Sequence, residues 1–144
     1  MPGLGELLIW LQTSKLADVV GGPLYPLFSA AHILSFAFLI VPVMLADLRV
    51  LRTGGVDGTS VALSRIALLG FCVAALTGFL LFMVQAVRYA GNPAMTVKLS
   101  LILLAGLNAA AFYGLKERRR VMAALSIGFW AAILLAGRWI AFIG

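Results

Sequence analysis

Long runs of apolar residues, separated by short polar segments, dominate the chain. A helix that rises ~1.5 Å per residue needs roughly 20 residues to cross the ~30 Å hydrocarbon core of a bilayer. Four runs reach this length when their flanks are counted. The pattern therefore predicts four transmembrane helices, at about residues 24–48, 65–88, 94–116 and 121–143.

The segment before the first run has a different pattern. Residues 4–20 are apolar at positions 4, 7, 8 and 11 and polar at positions 6, 12, 15 and 18. This spacing is typical of an amphipathic helix with a narrow polar face. The segment is too short and too polar to span, so we predict a helix on the outer membrane surface, rather than a lid over a ligand.

Short connections favour helices that alternate in direction. The predicted loops cover residues 47–65, 88–93 and 116–120, and Pro93 suits the first position of the third helix. The predicted fold is all-α, with an N-terminal interfacial amphipathic helix followed by an antiparallel four-helix transmembrane bundle. Residues 1–144 form one integral membrane domain.

Composition supports a lipid environment. The chain is 63% hydrophobic and 11% charged, with a mean hydropathy of +1.10. An ordinary soluble domain is roughly 45–50% apolar and about 25% charged, which excludes a water-soluble monomer. The lipid bilayer is the first predicted partner.

The net charge of +6 is explained by membrane topology. Basic residues concentrate in the first and third loops, and the positive-inside rule places those loops in the cytoplasm. Both termini then face outward from a bacterial inner membrane, and no nucleic-acid partner is expected. The alternative for Arg118–Arg120 is a patch that binds nucleic acid or anionic lipid. The basic residues of the first and third loops are Arg49, Arg52, Arg65, Lys116, Arg118, Arg119 and Arg120.

Small residues recur at four-residue spacing in the last three spans, as at Ala74 and Gly78. Such residues let helix backbones approach closely. Packing within one chain is the default interpretation of this pattern, and self-association into a homo-oligomer or a membrane complex is the alternative.

Several polar residues fall at similar depths in the outer half of the bundle. With span midpoints near residues 37, 77, 105 and 132, His32 lies ~7 Å outward of the bilayer centre, Met83 and Arg138 ~9 Å, and Lys98 ~10 Å. Arg88 lies at about 16 Å, among the headgroups. No acidic residue of a span falls in this layer.

Two interpretations of this layer stay open. In the simpler one, Lys98 and Arg138 extend to lipid phosphates, and His32 bonds a backbone carbonyl or Asn108. In the other, the protein is an electron-transfer subunit and the layer holds its cofactor. The cationic side chains then bind the anionic groups of that cofactor.

The cofactor interpretation has two forms. Haem b would take His32 as an axial iron ligand, with Met83 or the His32 of a second copy as the other. A quinone headgroup would instead meet polar side chains near the outer surface. These are His32, Asn108, Tyr89 and Trp139.

No catalytic constellation is found, because the single histidine matches no carboxylate in depth. We expect Asp47 to form an exposed ion pair with nearby Arg49 and Arg52. The competing functions are an accessory or structural membrane subunit and an oligomeric small-solute transporter or pore.

The chain resembles a bacterial family of four-helix membrane proteins known as a domain of unknown function. The resemblance covers nearly the whole chain. It rests on residues 26–52, PLFSAAHILSFAFLIVPVMLADLRVLR, on Gly91-Asn92-Pro93 with Lys98, on residues 105–108 and on residues 137–141. It implies the four-span fold. More distantly, the His32 helix is similar to those of copper-resistance-D-like and cytochrome-b561-like proteins, which hold haem with several histidines.

Overall fold

The computed structural model describes residues 3–143, and over this range every regular element is helical. For Ala141 and Ile143 it describes the backbone. The α-helices are α1 (Leu4–Gln12), α2 (Lys15–Gly21), α3 (Tyr25–Thr53), α4 (Gly58–Val84), α5 (Ala86–Ala90), α6 (Pro93–Gly114) and α7 (Arg119–Ile143). A 3₁₀ turn at Lys116–Arg118 precedes α7.

Four helices are long and apolar enough to cross a membrane, which confirms the prediction of a multi-pass membrane protein. The candidate spans are Tyr25–Thr53, Gly58–Val84, Pro93–Gly114 and Lys116–Ile140. Large apolar side chains cover their outer surfaces; Leu69 is 68% exposed and Leu135 is 66% exposed. Such a surface needs lipid as its solvent.

The first predicted loop is much shorter than expected, because α3 continues to Thr53 and α4 begins at Gly58. Gly54 ends α3 with a φ of +75°, which glycine adopts without a Cβ penalty. Asp57 caps α4, since its carboxylate accepts from the Ser60 backbone N–H at 2.8 Å.

The expected ion pair between Asp47 and Arg49 is wrong. Arg49 pairs instead with Asp57 beyond the end of α3, which gives that arginine a closer and more exposed carboxylate. Asp47 lies half-buried on α3 and forms no ion pair within the described part of the chain.

The N-terminal segment, predicted as one helix, is divided in two. The Ser14 hydroxyl accepts from the Ala17 backbone N–H at 3.2 Å and so starts α2 as a separate helix. Helix α2 packs on α4, with Val20 fully buried and a Cβ atom built at Gly21 only 2.8 Å from Cγ1 of Val84.

Helices α3 and α4 make the most extensive contact in the bundle, and Gly70 marks their closest approach. A Cβ atom built at Gly70 would lie 2.7 Å from the Leu39 nitrogen and 2.9 Å from the Phe38 carbonyl oxygen. That carbonyl is the one that residue 42 would bond in a regular helix, and Pro42 has no N–H to offer. A glycine on α4 thus packs where a proline leaves the α3 backbone open.

The core lies in the middle of the bundle. Helix α7 packs on both α6 and α3, whereas α4 and α6 have no direct backbone contact in the described range. The buried cluster consists of Leu39, Ile40, Ala67, Ala105, Trp130 and Ile133.

Candidate ligand-binding cavity

A cavity of about 480 Å³ fills the space between α4 and α6, with α3 and α7 as its other walls. Its lining is mostly aromatic and aliphatic, and Leu39 and Trp130 of the core form part of it. Phe79 and Leu99 also line it and are each about half exposed, so the cavity reaches the bundle surface. Its polar groups are those of Tyr25, His32, Tyr89 and Lys98.

His32 is held in place by Thr77 of α4. The imidazole Nδ1 lies 3.0 Å from the Thr77 hydroxyl, and that hydroxyl donates its proton to the Val73 carbonyl at 2.7 Å. A hydroxyl has one proton to donate, so we assign Nδ1–H as the donor to Thr77. Nε2 then carries the free lone pair. The imidazole also lies within hydrogen-bonding reach of the Ala74 backbone.

Two neighbours set the position of the imidazole ring. A Cβ atom built at Gly78 would lie 2.9 Å from Cε1 of His32, so only glycine leaves the ring its present place against α4. On its own helix, Phe36 lies one turn after His32, with ring centroids 5.7 Å apart. The imidazole is therefore packed between a glycine and an aromatic ring.

Lys98 approaches the same aromatic ring from α6. Its Nζ lies 5.4 Å from the Phe36 centroid, within the range of a cation–π contact. Gly137 of α7 leaves space beside this side chain, since a Cβ atom built there would lie 3.6 Å from Nζ. Across the described chain no carboxylate lies within 4.0 Å of Lys98. An apolar cavity thus contains a cationic donor without a protein anion.

Two tyrosines lie at the end of the cavity nearest the start of α3. Tyr89 of α5 packs near Phe82, with ring centroids 6.3 Å apart. Burial raises the pKa of the Tyr89 hydroxyl, and the neighbouring Tyr25 raises it further. Tyr89 is therefore an uncharged hydrogen-bonding group at neutral pH.

The structure brings together some of the residues predicted from sequence and separates others. His32, Lys98 and Tyr89 line the cavity, whereas Met83 is 5% exposed and lies outside the lining. Arg88 is exposed and donates to the Gln85 side chain at 3.1 Å.

The remaining predicted residues also lie away from the lining. Asn108 donates to the Met122 carbonyl at 2.9 Å, which joins α6 to α7. Arg138 is exposed and lies 5.8 Å from the Phe142 ring, and Trp139 is 59% exposed.

Sequence reasoning missed Thr77, Phe36 and Trp130 as site residues. Thr77 carried a usable signal, because a hydroxyl near the middle of an uncharged span needs a partner. Gly78 was noticed only as a small residue for helix packing. The aromatic residues carried no signal that separates a cavity wall from a lipid-facing surface.

The described residues contain no group of three or more His, Cys, Asp or Glu side chains that could hold a metal ion. The cavity wall offers two side chains of kinds that bind haem iron, the imidazole of His32 and the thioether of Met95. The thioether of Met83, the other predicted ligand, is buried outside the lining. The thioether in the cavity wall is therefore that of Met95, not of Met83.

Comparisons of the chain with known protein families, with curated proteins and with solved structures found no match.

Proposed function

We propose that this small membrane protein binds a quinol of the membrane quinone pool in the cavity between α4 and α6, in support of electron transfer. The observation that carries the proposal is one apolar cavity containing both an imidazole acceptor and an unpaired ammonium donor. Ligand sites of this kind are mostly apolar, with a few polar groups that orient the ligand.

The polar groups fit the two oxygen atoms of a hydroquinone. With Nδ1–H donating to Thr77, Nε2 of His32 is available to accept a hydrogen bond from a ligand O–H group. Lys98 has only donors, so it needs an oxygen that accepts. A hydroquinone hydroxyl can do either, whereas a quinone carbonyl can only accept.

Access from the bilayer suits the same ligand. Helices α4 and α6 have no direct backbone contact across the described range, and the half-exposed Phe79 and Leu99 line the space between them. A lipid-soluble ring enters through such a gap without crossing water, and its apolar tail stays among the lipid chains.

The membrane placement is part of the proposal. The bundle is antiparallel, which is supported by contacts of His32 with Thr77 and of Leu39 with Gly70, because these pairs run in opposite directions. Helices α1 and α2 form the interfacial segment on the outer side. The protein lies in a bacterial inner membrane with both termini outside, as the basic residues of the two inner loops favour.

Haem b is the second candidate, and one observation favours it. The Thr77 bond fixes the imidazole and leaves Nε2 free, as the outer contacts of iron-bound histidines do. When bound, haem would supply one-electron chemistry. His32 would hold it, Lys98 would meet a propionate, and Met95 of the same chain or the His32 of a second copy would provide the other ligand. A Soret band that His32→Ala abolishes would support this candidate over the quinol.

The proposal is tested by titrating the purified protein in lipid nanodiscs with a benzoquinol that carries a short alkyl tail. Trp130 lines the cavity, so its fluorescence reports occupancy once Trp10 and Trp139 are replaced by Phe. We expect saturable quenching, and the quinol should bind about 2- to 10-fold more tightly than the quinone, the equivalent of one hydrogen bond.

Matched variants identify the site. Lys98→Gln and His32→Ala should weaken binding, whereas Arg138→Gln should leave it unchanged because Arg138 lies outside the cavity. Equal effects of Lys98→Gln and Arg138→Gln would favour an accessory subunit whose cations meet lipid phosphates. No saturable quenching in the parent protein would overturn the proposal.

A further inference from the structure

A second polar site lies in the half of the bundle opposite the cavity. Asp47 lies near the end of α3, ~12 Å from the midpoint of that helix. Its carboxyl faces Ser126 of α7, whose hydroxyl can donate a hydrogen bond to it. The Oδ2 atom is buried and has no hydrogen-bond partner. A carboxylate oxygen without a donor is an expensive group to keep charged inside a bundle.

The basic residues around this end of the bundle do not neutralise Asp47. None of those described has a nitrogen within 4.0 Å of its carboxyl. Two arginines of α7 have other neighbours: Arg119 lies over the Phe112 ring with its buried Nε unpartnered among the described residues, and Arg120 lies beside Gly54. Helix α6 has its one charge, Lys98, in the cavity. The remaining basic residues of α3 and α4 are exposed, and they are Arg49, Arg52 and Arg65.

The core separates this site from the cavity. On α3, Leu39 and Ile40 lie between His32 and Asp47, and both are buried. On α7, the buried Trp130 and Ile133 follow Ser126. The two sites therefore do not share a ligand, and this inference is independent of the proposed quinol.

We propose that Asp47 is a proton-binding site, which takes up a proton as the pH falls and exchanges it with the aqueous phase at the α3–α4 loop. The protonated carboxyl needs no counter-ion, and its O–H can donate to a nearby carbonyl or to the Ser126 oxygen. Loss of the proton would leave a charge that only Ser126 stabilises. The ligand of this site is the proton.

An apolar carbodiimide tests this protonation state directly. Dicyclohexylcarbodiimide partitions into lipid and reacts with protonated carboxyls. The carboxyl O–H adds across one C=N bond, so that its oxygen joins the central carbon and its proton moves to nitrogen. The acyl group then shifts from oxygen to nitrogen, which gives a stable N-acylurea without a leaving group.

The experiment treats the protein in nanodiscs with the reagent and maps the modified peptides by mass spectrometry. We expect the Asp47 peptide to gain the mass of one reagent molecule, and the labelling to decline as the pH is raised. Asp47→Asn should lose the label, while Asp57→Asn, the matched control in an exposed ion pair, should retain it. Labelling confined to other carboxyls, or unchanged by pH, would overturn the proposal.

A second measurement tests the proposal even if the Asp47→Asn protein does not fold. At mildly acidic pH the wild-type protein should have the infrared C=O stretch of a protonated carboxylic acid, which shifts in D₂O and declines as the pH is raised. Ser126→Ala should move that band, because it removes the facing hydroxyl. A spectrum with only ionised carboxylates at mildly acidic pH would overturn the proposal whether or not the cavity binds a quinol.

Discussion

Nδ1 of His32 lies 3.0 Å from the Thr77 hydroxyl, although 45 positions separate the two residues in the chain. This contact joins α3 to α4 and fixes which imidazole nitrogen carries the proton. It makes Thr77 a positioning residue for the cavity. Because Nδ1–H donates to Thr77 on α4, Nε2 is the nitrogen that can accept a hydrogen bond from a ligand.

Thr77→Val removes the hydroxyl and keeps the shape of the side chain. The imidazole can then change tautomer or rotate, so we expect weaker quinol binding and a smaller difference between quinol and quinone. Thr77→Ser should restore both, because serine retains the hydroxyl. Binding that is unchanged in Thr77→Val would contradict this role. The measurement is the Trp130 fluorescence titration.

Gly78→Ala tests the packing of the imidazole. The added Cβ would lie 2.9 Å from Cε1 of His32, so the ring must move, whereas a Cβ at Gly106 meets nothing within 4 Å. We expect Gly78→Ala to reduce quinol affinity with little loss of stability, because a side chain can move more easily than a backbone. Gly106→Ala is the control and should bind normally. Equal affinities in the two variants would argue against this placement of His32.

Gly70→Ala tests the closest approach of α3 and α4. The added Cβ would meet backbone atoms of Phe38 and Leu39, which cannot rotate away. We expect a loss of about 1–3 kcal/mol in the free energy of unfolding, as for other overpacked sites. Gly106→Ala should be neutral or slightly stabilising, since alanine favours helix. Reversible unfolding in mixed micelles measures both, and a stable Gly70→Ala protein would contradict the close packing.

Asp57 gives the α3–α4 loop a defined pH dependence. The hydrogen bond from Arg49 and those from Ser60 hold the pKa of the Asp57 carboxyl far below its usual range. The stabilisation is therefore complete above the unfolded pKa of about 3.9 and declines as the pH falls toward the folded pKa.

Asp57→Asn isolates the ion pair, because asparagine still caps a helix. We expect its midpoint of thermal unfolding to be lower than that of the wild type at neutral pH, and the difference to shrink below about pH 4. Arg49→Gln should reproduce the effect. A difference that stays constant with pH would mean that the ion pair does not stabilise the loop.

The four apolar helices were predictable because the length and hydropathy of each apolar run are enough to identify a membrane-spanning helix. Their ends were harder to predict from hydropathy. Helix α3 runs past its apolar residues through Arg49 and Arg52, since both have good helix propensity and long side chains that reach water. The division of α1 from α2 depends on a single cap at Ser14.

The cavity was only partly predictable, because the sequence determines how deep each residue lies in the membrane but not which way its side chain points. The rise per residue places His32, Lys98, Met83 and Arg138 at similar heights. The direction in which each side chain points depends on how the helices pack. That packing turns His32 and Lys98 toward one cavity, places Met83 outside its lining and leaves Arg138 exposed.

The most direct test of the cavity as a quinol site is photoaffinity labelling with an azido-substituted benzoquinol in nanodiscs, followed by peptide mapping. We expect the label on the segments around His32, on residues 71–82 of α4 and on residues 95–102 of α6, with competition by the unmodified quinol. Label confined to the exposed surface around Arg138 and Trp139, or insensitive to competition, would contradict the account.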